Sequence, residues 1–238
     1  MEIRIDNDAA TVAARHVVSR VRRRPALVLG LASGRTMIPL YTALATAYRR
    51  GEVSFAQVRG FLLDDYLDLP PDSGDGFRAF VERYWRSRVD ALPAQVSGPD
   101  TVLARECPLE DYTAAIRAAG GIDLQLLGIG RNGHIGFNEP PSAADSRLRV
   151  VKLSDSTRKA NRRYSERPPP RRAITLGVAD ILEAREILLL ATGAEKAEAL
   201  AAAVEGPMTP DVPASALRQH ERCLIVADPA AAARLHGS

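Results

Sequence analysis

Cysteine is scarce in this chain: two residues in 238, Cys107 and Cys223, stand far apart and match no Cys-x-x-Cys spacing. That excludes a disulfide framework and a thiolate metal or redox motif as organising features, and it fits a reducing compartment. Long apolar runs are also missing, since no segment approaches 18 uninterrupted apolar residues. The amino terminus, Met1-Glu-Ile-Arg-Ile-Asp6, alternates like a strand and does not open with a basic stretch followed by an apolar one. Neither a membrane span nor an export signal is expected, which predicts a cytoplasmic protein without a membrane partner. Low-complexity sequence is confined to Arg167-Pro-Pro-Pro-Arg171, a short stiff connection, and there is no internal repeat.

Charge of one sign is nearly absent as a net quantity, at +3, but its distribution is uneven. From Arg147 to Arg172 there are ten Lys/Arg against two acids. A surface for single-stranded nucleic acid needs aromatics between the cations, and only Tyr164 stands there, so nucleic acid is not expected as a partner. A small anionic ligand fits the patch better, although such a run also serves as a solvated face.

What is present is a globular composition, 46% hydrophobic and 26% charged, in a chain long enough for one large α/β domain spanning 1–238. Ala10, Ala13, Ala14, Val17, Val18 and Val21 share helical spacing behind Asp8 and before Pro25. A strand over Ala26–Leu31, a helix over Thr36–Tyr48 and a strand over Val58–Leu63 follow. A helix bearing Phe77, Phe80, Val81, Tyr84 and Trp85 comes next, then one over Pro108–Ala119 closed by Gly120-Gly121. Further strands are predicted at Ile122–Ile129, Ala173–Leu176, Glu186–Ala191 and Cys223–Ala227, with a helix over Glu195–Glu205. The βα alternation predicts a three-layer αβα, Rossmann-like fold with a mostly parallel central sheet, whose ligands lie beyond the carboxyl ends of the strands.

Three predicted strand ends carry polar clusters. Ser33-Gly34-Arg35-Thr36 joins a strand to a helix start, where backbone N–H groups and the helix dipole attract an anion; an ordinary turn with a Ser or Thr cap reads equally well. Asp64-Asp65 ends an apolar strand, and because successive side chains alternate, only one of the two faces a ligand; a helix-capping Asp pair before Tyr66 reads equally well. The segment 128–139 contains Gly128-x-Gly130-x-x-Gly133, formally a dinucleotide fingerprint. Pro140 and Pro141 forbid the long helix that fingerprint requires, so the glycines instead let backbone approach a small ligand. His134, beside Asn132 and Glu139, has the makings of a proton-transfer group. No second His or Cys stands at ligand spacing, so no metal site is expected.

In this order the clusters resemble the glucosamine-6-phosphate deaminase family, related to the 6-phosphogluconolactonases, over almost the whole chain. The anchors are Leu29–Thr36, Leu63-Asp-Asp-Tyr66, Leu127–Pro140 with its Gly-His-Ile-Gly-Phe-Asn-Glu-Pro block, Thr157–Arg163, Gly193–Lys196, Glu205-Gly-Pro207 and Val212–Leu217. The resemblance implies that Asp64 moves a proton from C2 to C1 of an amino-sugar phosphate, and that His134, supported by Asn132 and Glu139, opens the pyranose ring. It places the phosphate on Ser33, Gly34, Arg35 and Thr36 with Arg163 and Lys196, and it implies no cofactor and no metal. Arg35 and Met37 stand where many relatives have Gly or Ser and then Pro, and Asp65 stands where Glu is frequent. Two other readings are a 6-phosphogluconolactonase, against which Phe137-Asn-Glu139 speaks, and a non-catalytic sugar-phosphate sensor, which would not need the proton-transfer set.

Overall fold

The computed structural model of the chain describes residues 1–69, 73–99, 108–155, 157–158 and 170–236. Seven strands form one parallel sheet: β1 (Glu2–Ile5), β2 (Val28–Leu31), β3 (Arg59–Leu62), β5 (Val96–Ser97), β6 (Leu124–Leu127), β9 (Ile187–Ala191) and β10 (Cys223–Ala227). Their order across the sheet is β1-β10-β9-β6-β2-β3-β5, and every pairing is parallel. Strands β9 and β10 are apolar end to end, as burial on both faces demands: Ile187–Ala191 and Cys223–Ala227 are buried at every position.

The helices over 9–23 (α1), 37–49 (α2), 77–84 (α3), 110–118 (α4), 178–182 (α5) and 197–204 (α6) supply the outer layers. Helix α1 follows its sequence pattern closely. The Asp8 carboxylate accepts from Thr11 N at 3.3 Å, and the buried stripe is Ala9, Ala13, Ala14, Val17, Val18 and Val21.

The all-parallel sheet agrees with the βα alternation, but the chain also builds a second sheet that the alternation did not foresee. Strands β4 (Asp64–Tyr66), β7 (Arg149–Lys152) and β8 (Arg172–Thr175) pair antiparallel in the order β4-β8-β7. The segment over Ala173–Leu176, expected as one more strand of the main sheet, belongs here. Its Asp64↔Thr175 register and the Leu176 N to Leu63 O bond of 2.9 Å fasten it to the end of β3. A small cluster of Phe137, Leu153 and Ala173, joined by Tyr66, Phe77 and Val151, packs this sheet separately from the main core. Among the described residues no helix is long and apolar enough to cross a membrane.

Candidate active site

Chain direction places the polar clusters. Because the sheet is parallel, all its carboxyl ends lie on one edge. Four adjacent strands, β9, β6, β2 and β3, lead there to Lys196, to the loop 128–139, to Ser33–Thr36 and to Asp64. At about 4.8 Å between strands, these four ends span roughly 14 Å. The chain leaves β2 toward β3 and leaves β6 toward β9, so the loops after β2 and β6 diverge and open the crevice expected at a reversal of strand order.

At β2 the turn is made by Gly34 at φ +104°, a conformation L side chains avoid, with open space where a Cβ would be. Met37 N and Ile38 N donate back to Gly34 O (3.0 Å) and Arg35 O (3.2 Å), starting α2. Thr36 occupies the N-cap position but makes no side-chain capping bond, so the reading of this loop as a Thr-capped turn is not realised. Among the described residues the backbone amides of Ser33, Gly34 and Thr36 have no acceptor. Tyr41, fully buried one turn into α2, donates to Ala32 O at 2.6 Å and ties the loop to its helix.

The two aspartates divide as alternation requires. Asp65 (4% exposed) accepts from Tyr66 N at 2.7 Å, Phe77 N at 2.8 Å and Arg78 N at 3.0 Å, so it caps α3. Asp64 is equally buried at 5%, yet among the described residues its carboxylate receives no hydrogen bond. Burial first, and then the neighbouring Asp65 charge, push its proton affinity well above the ordinary carboxylate range.

The loop after β6 is folded by its own backbone. Gly130 N donates to His134 O at 2.9 Å and Gly133 N to Gly130 O at 3.0 Å. The imidazole lies directly over Gly130, where a Cβ would come within 2.2 Å of the ring. His134 Nδ1 is 2.6 Å from Asn132 Oδ1. An amide oxygen only accepts, so Nδ1 carries the proton and Nε2 presents a lone pair. Burial lowers the His134 pKa to about 4; the Glu139 charge opposes that shift and the Lys196 charge reinforces it.

Glu139 acts on His134 through its charge, and among the described residues it makes no hydrogen bond to the imidazole. Its carboxylate instead accepts from Ser154 N and Ser154 Oγ, both at 2.8 Å, and from Thr157 Oγ1. The glutamate is thus tied to the start of the basic segment, where Asp155, Thr157 and Arg158 are helical. Residues 159–169, Arg163 among them, lie outside the described residues. Part of the local positive surplus is matched by acids: Arg147 pairs with Asp180 and Glu183, Arg158 with Asp155 and Arg172 with Asp68. Lys196, half-buried, loses proton affinity through burial, the Arg131 charge adding to that effect and the Glu195 charge opposing it.

Two residues that the sequence reading did not single out join these parts. Thr175, fully buried opposite Asp64, accepts from Phe137 N at 3.2 Å. Asn138, also fully buried, donates to Ile135 O at 3.0 Å and Leu176 O at 2.9 Å. Both link the His134 loop to the strand pair that holds Asp64, and only the antiparallel pairing reveals it. No group of three or more His, Cys, Asp or Glu side chains able to hold a metal occurs among the described residues.

A strand-to-helix loop, a neutral histidine and a buried carboxylate on the crest of a parallel sheet form a crevice of the kind in which α/β enzymes hold small ligands. Residues 4–226 match the model of the family described as glucosamine-6-phosphate isomerases/6-phosphogluconolactonase, and the chain belongs to that family. It is 44% identical over 234 residues to a glucosamine-6-phosphate deaminase of Beutenbergia cavernae, covering 96% of this chain and 89% of the relative. Its structure superimposes on that of a monomeric glucosamine-6-phosphate deaminase with a TM-score of 0.92 at 35% identity, covering 98% of this chain and all of the other. A 6-phosphogluconolactonase from Trypanosoma cruzi shares the fold at a TM-score of 0.76 and 20% identity, over 98% of this chain and 96% of that one.

Proposed function

We infer that the protein is a glucosamine-6-phosphate deaminase, converting glucosamine 6-phosphate and water to fructose 6-phosphate and ammonia, with the whole chain acting as one domain in the cytoplasm. The relatives above favour this over the lactonase reading, since the deaminases match at 44% and 35% identity and the lactonase at 20%. The observation that carries the chemistry is Asp64, a buried carboxylate with raised proton affinity and no hydrogen bond from any described residue, on the same crest as a neutral imidazole.

The phosphate is held by the backbone amides of Ser33, Gly34 and Thr36, the Arg35 side chain, Lys196 and Arg163, through charge-assisted bonds. His134, neutral at physiological pH with Nε2 open, takes the proton of the C1 hydroxyl and returns one to the ring oxygen, opening the ring. Asn132 holds its tautomer, and the Glu139 charge steadies the transient imidazolium. Asp64 then takes the C2 proton, leaving an enolamine. Return of that proton at C1 gives a ketimine, which water hydrolyses to the ketose and ammonia. A high proton affinity suits this task, because a carboxylate with an ordinary pKa is a weak base toward carbon.

The test is ammonia release from a panel of amino-sugar 6-phosphates, alongside hydrolysis of 6-phosphogluconolactone. Ammonia and fructose 6-phosphate are expected from glucosamine 6-phosphate. Lactone hydrolysis with no ammonia from any amino sugar would establish the lactonase reading, and binding without turnover would establish the sensor.

A further inference from the structure

We propose that the trough between α1 and α2 is a docking site for an acidic amphipathic helix of a partner protein. The trough holds about 1040 Å³ along α1 and α2, from Thr11 and Ile38 at one end to Arg23 and Arg50 at the other. Its lining follows one stripe of α1 from Thr11 to Arg23, about 18 Å at 1.5 Å per residue, a little over three helical turns. An open trough of that length suits a helix better than a compact metabolite. Its floor is formed by Ala14, Val18, Ala43 and Ala47, short side chains over which a third helix can approach and seat bulky apolar groups.

The rim supplies the sign of the partner. Arg15, Arg22, Arg23 and Arg50 border the trough, against a single acid, Glu52, which lies 3.9 Å from Arg50. Arg15, Arg22 and Arg23 are exposed, and among the described residues none of them pairs with a carboxylate. Arg20 of the same helix, by contrast, is bound to Glu186 at 2.7 Å. An apolar floor between unmatched guanidinium groups complements a helix with an apolar stripe flanked by Glu or Asp. A second copy of this chain offers no such helix among the described residues. Helices α1 and α2 carry no acid, α6 carries Glu198 alone, the acids of α3 and α4 are accompanied by arginines, and α5 has five residues with its one acid, Asp180, paired with Arg147.

The probe is a labelled 15-residue peptide with Leu at i, i+3, i+4 and i+7 and Glu on the flanks, compared with a twin in which Lys replaces Glu. Fluorescence anisotropy should show the acidic peptide binding at least about tenfold more tightly than its twin, with affinity falling as salt rises. The Arg15→Gln/Arg22→Gln/Arg23→Gln protein should lose at least about tenfold in affinity, while its thermal unfolding and turnover stay at wild-type values. A Thr42→Cys protein should form a disulfide, by thiol–disulfide exchange, with an acidic peptide whose cysteine is activated as a thiopyridyl mixed disulfide, releasing thiopyridine. Equal binding of both peptides, or undiminished binding to the triple variant, would overturn the proposal. Self-association of the wild-type protein in sedimentation equilibrium, abolished by the triple substitution, would also overturn it by giving the trough to a second copy.

Discussion

The two sheets divide the work of the site unequally. The seven-stranded sheet is parallel, with its central strands buried on both faces, and it delivers three loops to one crest: Ser33–Thr36 after β2, the His134 loop after β6 and Lys196 after β9. The three-stranded sheet is antiparallel and packed by a handful of side chains, yet it begins with Asp64. Through Thr175 and Asn138 it also holds the His134 loop against the strand of Asp64. In the mechanism proposed above, the large sheet supplies the phosphate seat and the imidazole, while the small sheet ties the His134 loop to the strand of Asp64. A minor appendage of the core can set the register of a reaction.

The sharpest way to break this comparison is at Asp64 and Asp65, adjacent residues of the small sheet with different partners. Asp64→Asn should lower kcat by about 10²–10⁴-fold or more and abolish solvent exchange of the C2 hydrogen, read by NMR. Asp65→Asn should retain most of the turnover and lose about 0.5–2 kcal/mol of stability with the cap of α3, read by urea unfolding. A reversed pattern would mean that the strand register assigns the wrong aspartate.

Next in size is Gly130→Ala in the loop the large sheet delivers. Its Cβ would overlap the imidazole, and misplacing a proton-transfer group by about 1 Å costs on the order of 10²-fold in kcat with little change in KM. Steady-state kinetics on glucosamine 6-phosphate would show whether kcat alone moves.

Smaller effects are expected for the binding groups. Lys196→Ala and Arg163→Ala should each raise KM by about tenfold, since charge-assisted contacts contribute roughly 1.5–3 kcal/mol. An unchanged KM in either folded variant would remove that residue from the phosphate seat.

The smallest effects concern pH and stability. Asp64 keeps its proton in the native state above the pH at which it ionises in the unfolded chain, so stability falls as pH rises through that window. Asp64→Asn should therefore be more stable than wild type at neutral pH, by roughly 0.5–2 kcal/mol. His134 behaves in the opposite sense. Its native pKa of about 4 lies below the unfolded value of about 6.5, so stability is lost as pH falls between the two. Thermal melts of His134→Gln should be less acid-sensitive across that range.

Much of this was legible in the sequence because it follows from local rules. Apolar runs such as Ile187–Ala191 specify strands buried on both faces, and the periodicity of 9–23 specifies its helix. The βα alternation then dictates parallel pairing and brings every loop that matters to one edge. Alternation along the chain also required Asp64 and Asp65 to face differently. The crest, the strand-to-helix turn at Ser33–Thr36 and the polar character of the His134 loop were determined by the sequence alone, since each depends on neighbours a few residues apart. Tertiary structure decided which aspartate caps α3, because the amides of Phe77 and Arg78 lie 12 and 13 residues away. It decided that Glu139 binds Ser154 and Thr157 and not His134, that Thr175 stands opposite Asp64, and that 172–175 leaves the main sheet. These are pairings between distant segments whose hydrogen-bonding groups are interchangeable in sequence, and only packing selects among them.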